Sequence, residues 1–182
     1  GLGDVYKRQN QGLAWTRIFS ILGSNSGYIH SFDMHVTDSL STFRLGFALT
    51  LVPDAGPTYA GSMYWLSLDQ NGTAISVTPV VGATGGRGYI SPALVSDGFS
   101  WSAGSTYWYM TYQNVDEATG AGTQALLAWS TNWGRSWLLD TARNSFNDYE
   151  LDIDYNFGGD SIYVLLTNNL TLTNENLRLM YN

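Results

Sequence analysis

The chain has 182 residues, no cysteine and a formal charge of −7. An acidic surface repels phosphate backbones, which argues against sequence-independent nucleic-acid binding, and no apolar run reaches the roughly 18 residues that a membrane-spanning helix needs. With 44% hydrophobic and 14% aromatic residues, 20 glycines and only 13% charged residues, the composition is that of a well-packed β protein with many turns, and no stretch carries a helical period.

The first nine residues, Gly1 to Gln9, fit no part of the pattern that follows. They resemble a string that recurs at the starts of translated metagenomic reads and derives from sequencing adapter, so an environmental microbial origin is expected and the segment is set aside. Residues 10–27 read as the end of one unit. Alternating or continuous apolar stretches then predict strands at Ile29 to Val36, Phe43 to Val52, Ser62 to Leu68 and Ala74 to Val81, which with their turns make a unit over 28–88. A second set, Ile90 to Val95, Tyr107 to Val115, Gln124 to Trp129 and Ser136 to Thr141, makes a unit over 89–148. A third begins with Leu151 to Tyr155, Ile162 to Thr167 and Leu177 to Tyr181, and occupies 149–182 without a fourth strand.

Two markers keep these units in phase. Tyr28, Tyr89 and Tyr149 open the first strands at intervals of 61 and 60 residues, and Gly12, Gly72 and Gly134 follow at intervals of 60 and 62. A fixed period of this size belongs to repeat architectures. Gly134 lies within Ser130-Thr131-Asn132-Trp133-Gly134-Arg135-Ser136-Trp137, of which Ser67, Asp69, Gly72 and Thr73 form a looser copy with one residue inserted, and Asn10, Gly12, Ala14 and Trp15 a degraded one. In such a turn Asn132 can accept backbone amides, Gly134 can adopt a positive φ, Ser136 can add a hydroxyl bond, and Trp137 can bury its ring between sheets.

The octapeptide resembles the Asp-box, or BNR repeat, Ser-x-Asp-x-Gly-x-Thr-Trp, of sialidase-like β-propellers, with Asn132 for Asp and Ser136 for Thr. The resemblance implies an all-β fold, a partial β-propeller of four-stranded antiparallel blades repeating about every 60 residues. Two full units with parts of others cannot close a ring, so a fragment of a longer, monomeric protein is expected, and one that aggregates or partly unfolds in isolation. The resemblance also implies that the box lies away from the ligand face. Loops entering each first strand, and those joining second to third strands, would surround the site. These loops contain Tyr28, Arg87, Tyr89, Arg143, Asp148 and Tyr149, the candidate ligand-binding residues, together with Asp54, Tyr59, Asp116 and Glu117. Aromatic rings beside Asp, Asn and Arg suit sugar recognition, although a tyrosine repeated at strand starts more often serves core or rim packing, and a loop arginine is usually solvated.

A sialidase would need an arginine triad, an acid/base Asp and a Tyr nucleophile activated by Glu. Phe43-Arg44-Leu45-Gly46 only faintly matches the family's arginine motif and falls on a second strand; Arg87 and Arg143 could supply two members of a clamp. Asp152, Asp154 and Asn156 alternate like calcium ligands, but Phe157 stands where a helical calcium loop needs glycine, and the intervening Leu151, Ile153 and Tyr155 make the run a strand with one polar side. His30 and His35, five apart on a strand, make a poor metal pair, and no metal or cofactor is implied. Neither a Gly-x-Ser-x-Gly elbow nor a phosphate-binding loop occurs. The reading favoured is a secreted or cell-surface propeller that binds glycan or extracellular protein without catalysis. A glycoside hydrolase and a structural or adhesive surface module are the alternatives.

Overall fold

A computed structural model describes residues 4–9, 14–20, 27–39, 42–69, 71–97, 107–143, 148–156, 161–169 and 175–181. The fold is all-β, built from open antiparallel sheets consistent with partial propeller blades. One sheet joins β3 (Gly27–Ser39), β4 (Thr42–Pro53), β5 (Ser62–Leu68) and β6 (Ala74–Val81) in sequence order. The next joins β7 (Arg87–Ser96), β8 (Trp108–Asp116), β9 (Gly122–Ser130) and β10 (Leu138–Arg143). A three-stranded sheet follows from β11 (Asp148–Asn156), β12 (Ser161–Asn169) and β13 (Glu175–Tyr181). The sheets open at Gly27, Arg87 and Asp148, 60 and 61 residues apart, which is the period carried by the tyrosines. Ahead of them β1 (Asp4–Gln9), inside the segment resembling adapter sequence, pairs with β2 (Ala14–Ser20). The first degraded box copy falls largely outside the described residues, at 10–13.

Each of these sheets is an antiparallel meander, its strands paired in sequence order, and side chains alternate faces with period two. On β4 and β5, Ala48, Met63 and Trp65 point to one side, while Phe47, Leu49, Leu66 and Leu68 point to the other. β7 packs across β3, β4 and β5, and β11 packs across β7, β8 and β9. The first interface is filled by Ala48, Met63 and Trp65 against Leu94, Trp108, Met110, Tyr112 and Ala128. The indoles of Trp65 and Trp108 meet edge-on, 4.6 Å between centroids. Gly46 makes that meeting possible, since a β-carbon there would come within 2.7 Å of the Trp108 ring. The second interface holds Ala93, Val95, Ile153 and Val164, with Tyr109 stacked on Tyr155. Burying several large side chains at each seam, at about 1.5–3 kcal/mol apiece, supplies the main drive for sheet-on-sheet packing.

A bulge interrupts the first strand of each of the three larger sheets just after the marker tyrosine, between Ile29 and Ser31, Ile90 and Ala93, and Tyr149 and Asp152. This feature was not legible in the apolar pattern. Bulges reset which face later residues occupy. In β7 the bulge includes Ser91, held at a φ of 53°. The face of β3 away from β7 leaves Phe32, Met34 and Val36 exposed, and β6 exposes Ile75 and Val77. Among the described residues no helix is long and apolar enough to cross a membrane.

Candidate functional site

The β4–β5, β6–β7 and β8–β9 turns come together at one end of the first two sheets. Main-chain bonds lock them. Tyr59 N donates to Glu117 O at 3.1 Å, Glu117 N donates to Gly86 O at 3.1 Å, and Tyr89 N donates to Gly61 O at 2.8 Å. Glu117 thus ties its turn to both of the others, with its carbonyl reaching the first sheet's β4–β5 turn. The half-buried Tyr59 ring lies over Gly120, where a β-carbon would come within 2.7 Å of the ring, and meets the His30 ring edge-on at 5.7 Å. Tyr28 donates its hydroxyl to Thr58 O at 3.2 Å. These contacts fix the turns that would otherwise cost conformational entropy to order around a ligand.

Arg87 and Asp116 face each other on this end. Arg87 opens β7, exposed, and pairs across the ladder with Asp116 at the end of β8. Asp116 folds back on its own turn, accepting from Thr119 Oγ1 and Thr119 N, each at 2.8 Å, and from Ala118 N at 3.1 Å. Those donors, the Thr119 hydroxyl foremost and the Arg87 charge last, hold its carboxyl below the usual carboxylate range. The carboxylate is therefore ionised and committed to shaping the turn, while the Arg87 guanidinium faces solvent.

The candidate residues divide accordingly. Tyr28 and Arg87 lie on this rim, with Tyr59, Asp116 and Glu117 beside them, and Asp54 is exposed in the β4–β5 turn. Tyr89 is 9% exposed and sits in the core, edge-on to Tyr112 at 5.7 Å. Burial pushes the Tyr112 phenol well above its ordinary value. Arg143 pairs with Ala125 in β10, Asp148 with Asn168 and Tyr149 with Thr167 in β11; the side chains of these three residues lie outside the described residues.

The opposite end of the second sheet carries the octapeptide. Ser130 Oγ accepts Gly134 N at 2.9 Å, Asn132 Oδ1 accepts Ser136 N at 3.0 Å, and Asn132 Nδ2 donates to Ser136 Oγ at 2.8 Å. Gly134 has a φ of 76°, and Trp137 donates its indole N–H to Gly134 O at 3.2 Å. The Trp137 ring meets Trp65 of the neighbouring sheet, 5.4 Å between centroids. All four structural roles read from the sequence are present. In the looser copy Asp69 performs the same task, accepting Asn71 N and Thr73 N at 2.9 and 2.8 Å. Arg44, set on β4, lies 5.5 Å from the centroid of Trp133, so a cation–π contact also joins the sheets here.

Sequence reasoning missed Ser31 and Asp33. β7 is the edge strand of its sheet, so its outward amides need partners. Ser31 Oγ accepts Ser91 N at 2.9 Å and Asp33 Oδ2 accepts Leu94 N at 2.7 Å. Alternate side chains of β3 thereby satisfy the edge of the next sheet. Ser31 and Asp33 stand two apart on β3, hence on one face, but His30, His35, Thr37 and Asp38 make the strand polar elsewhere too, so the sequence does not single them out. Asp152 and Asp154, the calcium-like run, each accept the next residue's amide at 2.9 and 2.8 Å and flank buried Ile153, as a strand with one polar side requires. Among the described residues no cluster of metal-binding side chains occurs. Comparison with protein-family models finds no match, and comparison with curated proteins finds none.

Proposed function

We propose that the chain contributes Asp-box blades to a secreted β-propeller that binds glycan or extracellular protein without catalysis. The observation that carries this reading is the locked rim. Three turns from two sheets are joined by main-chain bonds and present Tyr28, Tyr59 and the solvent-facing Arg87 together. Half-buried rings offer flat apolar area at low entropic cost, and an unburied guanidinium offers paired donors to a hydroxyl or carboxylate. The Asp116 carboxylate, on the residue paired with Arg87 across the ladder, is spent on its own turn, which favours recognition over acid–base chemistry.

The test is a glycan array and an extracellular-protein panel probed with the chain, followed by titration calorimetry on any ligand retained. Arg87→Ala and Tyr59→Leu should weaken binding while leaving the thermal transition of Arg87→Ala unchanged. Binding indifferent to both substitutions would remove the rim from consideration. Turnover of fluorogenic glycosides above a buffer control would replace the binding reading with a hydrolase.

A further inference from the structure

Asn71 is the only asparagine of the chain followed by glycine. It stands exposed in the β5–β6 turn, and Gly72, with a φ of 83°, puts no side chain in the way of its own amide nitrogen. That pairing is chemically reactive. The Gly72 nitrogen can attack Cγ of Asn71, forming a C–N bond as the side-chain amide leaves as ammonia; water then opens the five-membered imide to aspartate or isoaspartate. No oxidant or catalyst is needed, and the net change is amide plus water to carboxylate plus ammonium.

The turn opposes this reaction. Gly72 N donates to Asp69 O at 3.0 Å, and Asp69 N donates to Thr73 O at 3.0 Å. The Asp69 carboxylate holds Asn71 N at 2.9 Å and Thr73 N at 2.8 Å. The attacking nitrogen is thus engaged, and the residues on either side of it are pinned by one oxygen. Imide closure needs the Gly72 nitrogen free to reach Cγ, so it competes with this set of bonds. We propose that Asn71–Gly72 is a latent deamidation site, kept unreactive by the Asp69-bonded turn and released by local opening of the β5–β6 hairpin. Conversion would place a second carboxylate beside Asp69. Bonds to Thr73 N and Asn71 N already hold that residue ionised, with the Arg44 charge contributing.

Hydrogen bonds to a charged acceptor are worth enough that losing two should raise the open population about tenfold or more. The experiment follows conversion by peptide mapping at mildly alkaline pH for the folded chain, the chain in concentrated urea, and the variants Asp69→Ala and Asp69→Asn. Folded wild type and Asp69→Asn, which keeps the accepting oxygen, should convert about tenfold or more slowly than in urea. Folded Asp69→Ala should approach the urea rate, with its thermal transition still cooperative. Equal rates for wild type folded and in urea would overturn the proposal whether or not Asp69→Ala folds. So would a folded Asp69→Ala that converts as slowly as wild type.

Discussion

Gly134→Ala tests the join between the octapeptide turn and the neighbouring sheet. A methyl group at this position meets two obstacles. The φ of 76° lies in the left-handed region, and a β-carbon would fall against Nε1 and Cε2 of Trp65. Gly85 separates the two, because its φ of 61° is also left-handed but nothing lies within 4 Å of an added β-carbon. Gly85→Ala should therefore cost about 1 kcal/mol, the strain alone. Gly134→Ala adds the overpacking of a rigid indole, about 1–3 kcal/mol, for a total of about 2–4 kcal/mol. Against a typical domain stability of about 5–15 kcal/mol this shifts a urea midpoint clearly. The assay is urea unfolding followed by the fluorescence of the chain's seven tryptophans, Trp65, Trp108 and Trp137 among them, and Trp65→Leu should shrink the Gly134→Ala penalty through coupling. If Gly134→Ala and Gly85→Ala lose the same stability, or the penalty persists in the Trp65→Leu background, the turn does not press on Trp65 and the packing argument fails.

Three further outcomes are expected. Asn132→Ala removes the acceptor of Ser136 N and the donor to Ser136 Oγ and should cost about 1–2 kcal/mol in the same assay, whereas Asn132→Asp keeps the acceptor and should stay near neutral. Asp33→Ala leaves the Leu94 amide without its partner between sheets, a loss of about 1–3 kcal/mol, and Asp33→Asn should recover most of it; equal losses would assign the effect to charge instead. His35 has its folded pKa lowered by burial, partly offset by Asp33 and Asp154, while its ring lies edge-on to Trp108 at 6.0 Å. A depressed folded pKa means that stability is fully present above the ordinary value of 6.5 and declines as pH falls through it, because the unfolded chain takes up the proton first. The thermal midpoint of wild type should drop more between neutral and mildly acidic pH than that of His35→Gln, and parallel curves would contradict this.

The locally encoded features were legible in the sequence. Strand positions follow from alternation, and the octapeptide turn follows from bonds that span no more than four residues, so Ser130, Asn132, Gly134 and Ser136 carry their own instructions. The period of the tyrosines marks where the three larger sheets begin. Tertiary structure decided the rest. Whether a marker tyrosine reaches the rim like Tyr28 or the core like Tyr89 depends on which sheet covers it. Trp65 finds Trp108, Trp137 and Gly134 across sequence separations far beyond any local pattern. The seam from Ser31 and Asp33 to the β7 edge pairs residues about a full repeat apart, and it rests on bulges that shift the chain by a residue and so reverse which face each side chain takes. A one-dimensional pattern records that a residue is apolar or polar; the sheet laid against it determines what that residue does.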